Sequence, residues 1–354
     1  MINDKKIVWY KDKEIISLLI FVLVLGMAIA ASLLFTPKAN GVNGAKANSQ
    51  DFAIEQCKYK RLLDNVCVEK KKMINLTPWA VMIENHFEAR PLAGIDKASI
   101  VFEAIAESTI TRFLAIFPGD TEAEKIGPIR SARPYYLDWA AEFDPVYLHV
   151  GGSPQALSDL RASGIKDLDQ FYWSQYFWRS RNRYAPHNVY SSSELIKEAI
   201  DDRGWDKNTE IDTWIFKKES ELDDRPEEQV IEVNFNNYTY NVVWNYDRDQ
   251  NAYTRFQMGK LYKTEGNNAV LTKNLLIIYS KQSIIDDYGR LFTETLGEGK
   301  AIVFQDGKGT IGTWRKQNAT DRMRFYDSDG NEIKMLEGKT WITVVPDHFP
   351  KVQY

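Results

Sequence analysis

Residues 125–157, KIGPIRSARPYYLDWAAEFDPVYLHVGGSPQAL, decide the fold class. Residues 125–130 read as a short strand, and residues 134–143 have helical spacing, with Tyr136/Ala140 and Leu137/Ala141 recurring at i, i+4. Residues 145–150 form a further β-rich run that Gly151-Gly152 ends, and Ser153-Pro154 opens another helix with an N-cap and a proline in the first helical position. Strands separated by helices imply a sheet that is at least partly parallel. Upstream, residues 79–83, 99–104 and 111–117 are short β-rich runs; downstream, Ser193 with Leu195-Ile196 and Ala199-Ile200 opens a later helix. Residues 57–210 are therefore predicted to form an α/β domain with a mixed or partly parallel sheet.

Past residue 209 the pattern changes. After the polar break at 223–228 come strand-like runs at 230–235, 238–244, 253–256, 275–279, 301–305, 310–314 and 341–345. Asp306-Gly307 and Asp329-Gly330 are hairpin signals. Residues 211–354 are predicted to form a mostly-β domain.

At the other end, residues 15–35, IISLLIFVLVLGMAIAASLLF, run for 21 positions without a charge. As a helix they would span about 31 Å, enough for a bilayer core. Lys5, Lys6, Lys11 and Lys13 precede the run. The expectation is a single N-terminal transmembrane anchor, a cytoplasmic tail at 1–14 and extracytoplasmic domains. A signal peptide cut after Ala28-Ile29-Ala30 is the alternative. Residues 36–56 read as a flexible tether. Cys57 and Cys67, in CKYKRLLDNVC, fit neither a redox motif nor a zinc ribbon. In an exported chain they read as a short-loop disulfide, with two free thiols as the alternative.

Composition narrows the class. Among 354 residues, 27% are charged and 44% hydrophobic, with ordinary glycine and proline, which excludes a disordered or collagen-like chain. The mean hydropathy of −0.41 excludes a polytopic membrane protein. The net charge of −4 excludes bulk attraction to nucleic acid. Four lysines against Asp4, Asp12 and Glu14 in the first fourteen residues leave the remainder at about −5.

Three stretches hold more polar side chains than a core uses: 84–91 (ENHFEARP), 127–134 (GPIRSARP) and 179–188 (RSRNRYAPHN). In an open α/β sheet, loops at the carboxyl ends of strands line the ligand crevice. Arg130, Ser131 and Arg133 stand where a loop meets a helix N-terminus, whose free N–H groups favour anions; guanidiniums add bidentate donors. Arg112 is expected to converge on the same edge. Glu103 and Glu107 are expected on one face of their strand by alternation. This set reads as an anion pocket or as a structural ion-pair network with Glu84. Glu107 and His149 are the candidate acid–base groups; Glu84, Asn85, Arg90, Glu103, Arg179, His187 and Asn188 complete the candidate site. Aromatic residues at 171–178 and Tyr184, interleaved with Arg179, Arg181 and Arg183, suit sugar rings or a covering loop. No HExxH, GxSxG, P-loop or dinucleotide fingerprint occurs, so no cofactor and no metal is expected.

Residues 80–94 (AVMIENHFEARPLAG), 99–117 (SIVFEAIAESTITRFLAIF), 125–156 and 183–190 (RYAPHNVY) resemble the YerB-like bacterial lipoproteins, a domain of unknown function followed by a smaller partner domain. Residues 296–314 and 338–346 resemble that partner domain. The resemblance spans about residues 57–346 and implies a bacterial envelope protein with no known reaction. Its motif residues fall on Glu84, Asn85, Arg90, Glu103, Glu107, Arg112, Arg130, Ser131, Arg133, His149, Arg179, His187 and Asn188. The chain departs from it in having an apolar run where family members often have a lipobox cysteine, Ser108-Thr109 where relatives often have glycine, and an unusual stretch at 262–271. The spacing of Arg112, Arg130 and Arg133 is also similar to the arginines of LytR-CpsA-Psr glycopolymer ligases, an analogy resting on few residues. Three functions are compatible: a membrane-tethered envelope protein binding an anionic, glycan or lipid-linked phosphate ligand; an envelope phosphotransferase or glycan-modifying enzyme; or a protein-interaction module. The expected partners are the membrane, through the N-terminal helix, and that ligand, with no nucleic acid.

Overall fold

Strand 340–346 (TWITVVP) is buried along its whole length, so it needs a neighbour on each side and cover on both faces. It finds one neighbour in each half of the chain. The computed structural model describes residues 57–348 and 352–354. Five strands come from the first half: β1 (Trp79–Glu84), β2 (Ile100–Glu107), β3 (Ile110–Phe117), β4 (Val146–His149) and β5 (Lys166–Asp169). The second half adds β6 (Val230–Val233), β7 (Val242–Asp247), β8 (Ala252–Gln257), β9 (Asn274–Ser280), β10 (Gly297–Gln305), β11 (Lys308–Lys316), β12 (Arg324–Asp327) and β13 (Thr340–Pro346). Ten of these form one sheet in the order β12-β11-β10-β9-β13-β2-β3-β1-β4-β5. β13 runs parallel to both β9 and β2; β1, β4 and β5 are mutually parallel, and β3 is antiparallel to its two neighbours. A second, smaller antiparallel sheet is built on β6, β7 and β8.

The predicted fold class, an α/β first half followed by a mostly-β second half, is thereby corrected: the architecture is mostly β, a large mixed sheet shared by both halves. Among the described residues there are three α-helices, α1 (Pro134–Ala141), α2 (Pro154–Ser163) and α3 (Ser193–Arg203). Alternation along each strand was legible; which strands would pair across 200 residues was not, because register is set by tertiary packing. The run at 125–130 forms only isolated bridges, Ile126 to Ser191, Gly127 to Ala93 and Ile129 to Ile83. Pro128 has no N–H to give a ladder, and Gly127 takes φ +139°, outside strand geometry. The predicted transmembrane anchor at 15–35, the tail before it and the tether at 36–56 lie outside the described residues. Among the described residues no helix is long and apolar enough to cross a membrane.

The two faces of the large sheet bury different partners. Trp79, Val81, Ile83, Val101, Phe113 and Trp341 share one core with Ile231, Val233, Trp244 and Tyr253 of the second sheet and with Ile196, Ala199 and Ile200 of α3. Ala80, Met82, Phe102, Leu114, Ile116 and Ile342 face Tyr136, Trp139 and Ala140 of α1 and Ala156 and Leu160 of α2. Ser153 caps α2 by accepting from the Ala156 N–H, as its place before a proline suggests. Cys57 and Cys67 are disulfide-bonded, with Cα atoms 5.7 Å apart.

Candidate functional site

Glu84 ends β1, Glu107 ends β2, and Arg112 lies near the start of β3, directly across from Glu84 in the β1–β3 register. β2 and β1 point the same way, so both carboxylates sit at the carboxyl edge of the sheet. A register shift between Ile105 and Glu107 turns Glu107 away from the face that Glu103 occupies, correcting the expectation that the two share a face. Glu107 instead meets the helix-side arginines: Arg112 donates to it at 3.1 Å, and Arg133 pairs with the same oxygen. Arg130 pairs with Glu84, and Arg112 also donates to the Ser131 carbonyl at 3.1 Å. Ser131 thus contributes its backbone to the network.

Three guanidiniums and two carboxylates therefore form one connected cluster. Burial would raise the Glu84 carboxyl, but Arg112, Arg130 and His187 beside it hold it below the usual range. Glu107 is likewise held down, against burial, by Arg112 and Arg133. Arg112 is fully buried and raised by Glu84 and Glu107 despite desolvation. A carboxylate held ionised by two guanidiniums is a weak proton acceptor, so the geometry argues against Glu107 as a general base.

Glu103 belongs to a different network on the opposite face. It receives Arg255 through two bonds, 2.7 and 2.8 Å, with Trp341 Nε1 at 3.1 Å and Thr111 Oγ1 at 3.0 Å. The Arg255 guanidinium lies 4.8–5.5 Å from the rings of Trp341, Tyr262, Trp244 and Phe113. Asn85 joins this network, donating to Thr111 at 2.6 Å and accepting from Tyr262 at 3.1 Å. Arg90 donates to the Asn85 carbonyl at 2.8 Å and to Thr239 at 3.0 Å, tying β1 to the second half. Arg255 was not legible as a partner because it sits inside an ordinary strand pattern.

His149 is fully buried, with Nδ1 2.7 Å from the Gly151 carbonyl and Nε2 2.7 Å from Asp167. Both ring nitrogens face acceptors, which leaves none to act on a ligand. His187 turns toward the arginine cluster: Nδ1 lies 3.5 Å from Glu84 and Nε2 3.4 Å from Glu88. Burial lowers its pKa, with Glu84 opposing that shift. Asn188 and Arg179 organise the loop that carries His187. Arg179 donates to Asn188 at 3.0 Å, and Asn188 donates to the Ser180 carbonyl at 3.2 Å. The aromatic stretch divides: Tyr176 and Phe177 are buried, while Phe171, Tyr172 and Tyr184 are exposed.

Beside the cluster lies a cleft of about 640 Å³. Arg133, Tyr135 and Ser153 line one side; Ile285, Leu291, Phe292 and Leu296 line the other. The starts of α1 and α2 both border it.

The family model described as "Protein of unknown function (DUF3048) N-terminal domain" matches residues 65–206, and its C-terminal counterpart matches residues 231–342. A Bacillus subtilis (strain 168) protein named "Putative lipoprotein YerB" is 34% identical over 283 residues, 78% of this chain and 84% of that protein. The crystal structure of the YerB protein from Bacillus subtilis superposes with a TM-score of 0.74 at 32% identity, covering 82% of this chain and 97% of that one. With both domain models matched in order and a relative similar over most of its length, the chain is a YerB-like member of the DUF3048 family.

Proposed function

We propose that this protein works at the bacterial cell envelope, outside the cytoplasm, as a binding protein for an amphiphilic phosphate of the lipid-linked class. The observation that carries the reading is the cleft wall: Arg133 on one side and the apolar residues Ile285, Leu291 and Phe292 on the other. A phosphate would lie against Arg133 near the starts of α1 and α2, with its hydrocarbon along the apolar wall. Glu107 positions Arg133 without neutralising the cluster, since three guanidiniums face two carboxylates. The Cys57–Cys67 disulfide supports an oxidising compartment, and the lipoprotein label in YerB's name supports the envelope.

The test is thermal unfolding of the full chain in mild detergent with a short-chain prenyl phosphate, inorganic phosphate, or the matching prenyl alcohol. The prenyl phosphate raises Tm; the alcohol and inorganic phosphate raise it far less. Arg133→Ala weakens prenyl phosphate binding by about tenfold or more, the scale of one lost charge-assisted contact. Equal shifts with the alcohol, or none with the phosphate, would sink the reading.

A further inference from the structure

His86 and His187 come from two different polar stretches, yet their rings stack with centroids 4.7 Å apart and planes within 8°. Glu88, two residues beyond His86 in the short 3-10 helix Phe87–Ala89 that His86 caps, places its Oε2 3.7 Å from His86 Nδ1 and 3.4 Å from His187 Nε2. The three donor atoms lie within 4.8 Å of one another. These separations are long for hydrogen bonds. The two contacts to Glu88 are near the edge of a tetrahedron around a metal bound at about 2.0–2.1 Å, whose ligand atoms stand about 3.4 Å apart; the two histidine rings, stacked in this structure, turn toward each other's edge to complete it.

We propose that His86, Glu88 and His187 form a three-ligand site for a divalent transition metal of the zinc class. Two imidazoles and a carboxylate are the donor set such an ion prefers. His86 Nδ1 has its lone pair turned toward Glu88, where the backbone N–H of Glu88 approaches it at a long 3.4 Å, a contact the metal replaces. On His187, Nε2 faces Glu88 while the buried Nδ1 makes no hydrogen bond and lies 3.5 Å from Glu84 Oε2. With metal on Nε2, Nδ1–H closes onto Glu84, the carboxylate–histidine–metal arrangement that fixes tautomer and ring orientation. Glu84 is then a positioning residue, itself held by Arg130. The fourth coordination position opens to a cleft of about 680 Å³ that Glu88, His187, Arg90, Lys125, Arg183 and Tyr184 line. An open position in a cleft where Arg90, Lys125 and Arg183 stand beside Glu265 suits water or a small oxyanion. The site stands independently of the prenyl phosphate reading, since none of its ligands borders that cleft.

The experiment uses metal alone. Full chain in mild detergent is stripped with a chelator, then titrated with Zn²⁺ by calorimetry and with Co²⁺ by visible absorption. One equivalent binds per chain, Tm rises, and Co²⁺ gives the bands of a four- or five-coordinate nitrogen–oxygen site. Glu88→Gln, at an exposed side chain, and His86→Ala each weaken Zn²⁺ by at least tenfold while leaving the metal-free Tm in place. Glu84→Gln weakens it by about ten- to a hundredfold, the usual scale for such an orienting partner. The proposal falls if wild type takes up no Zn²⁺, or if Glu88→Gln and His86→Ala bind it as wild type does.

Discussion

Arg255→Met lowers the unfolding free energy by about 3–5 kcal/mol, the cost of stranding one partner of a buried ion pair. Both Arg255 and Glu103 are fully buried, and the Glu103 carboxyl would be left with Trp341 and Thr111 as its donors. Desolvation of an unpaired carboxylate outweighs the apolar contact that methionine regains among Trp341, Trp244 and Phe113. Adding Glu103→Gln removes the charge and keeps an acceptor for Trp341, so the double variant should recover much of the loss. Urea unfolding of the full chain in detergent measures all three. If the double variant loses the sum of the two single losses, the charge-stranding account is wrong.

The second large effect lies at the other end of α1. Glu142 is buried and is approached by Lys316 at 3.8 Å and Arg322 at 3.5 Å, and it accepts the Met323 N–H at 3.0 Å. Arg322 is sandwiched, its guanidinium 4.3 Å from the rings of both Phe143 and Trp214. Glu142→Ala leaves two buried cations facing each other and should cost about 3–5 kcal/mol at neutral pH. The loss carries a pH signature. Burial already lowers the Lys316 pKa from 10.5, with Glu142 and the neighbouring Asp138 and Asp321 opposing the shift and Arg322 adding to it. Between that lowered value and 10.5 the unfolded chain holds more protons, so stability rises with pH across the window. Removing Glu142 lowers the folded value further and widens the window downward. Part of the deficit should return as pH rises from neutral toward 10.5; a deficit that stays constant across that range would exclude Lys316 as its source.

Local elements were readable and long-range partners were not. The strand at 111–117 and the capped helix start at Ser153-Pro154 follow from alternation and cap chemistry, which act over a few residues. Arg130 and Arg133 flank one loop that opens α1; Arg112 joins them from β3 through the Ser131 carbonyl and Glu107, and not through the pairing of 111–117 with 125–130 that the sequence suggested, since β3 pairs with β1 and β2. Glu107 escaped because a bulge, invisible in the hydrophobic pattern, reverses its face. The pairing of Glu103 with Arg255 spans 152 residues, and nothing in either local pattern marks it. His86 and Glu88 meet His187 across about 100 residues, which is why no spacing motif announced the proposed metal site.

The place of β13 bears on how the chain is made. β2 obtains its parallel neighbour only from residues 340–344, about 230 positions after it leaves the ribosome. Until then the edge of β2 carries unpaired backbone groups beside a strongly apolar face, an aggregation hazard during synthesis. The N-terminal family segment is therefore unlike a bead on a string: it reaches its final pairing only after most of the second segment has been delivered. Long-range closure of this kind slows folding, and it makes the chain a natural client for chaperones that shield an unpaired strand edge until the last strand arrives.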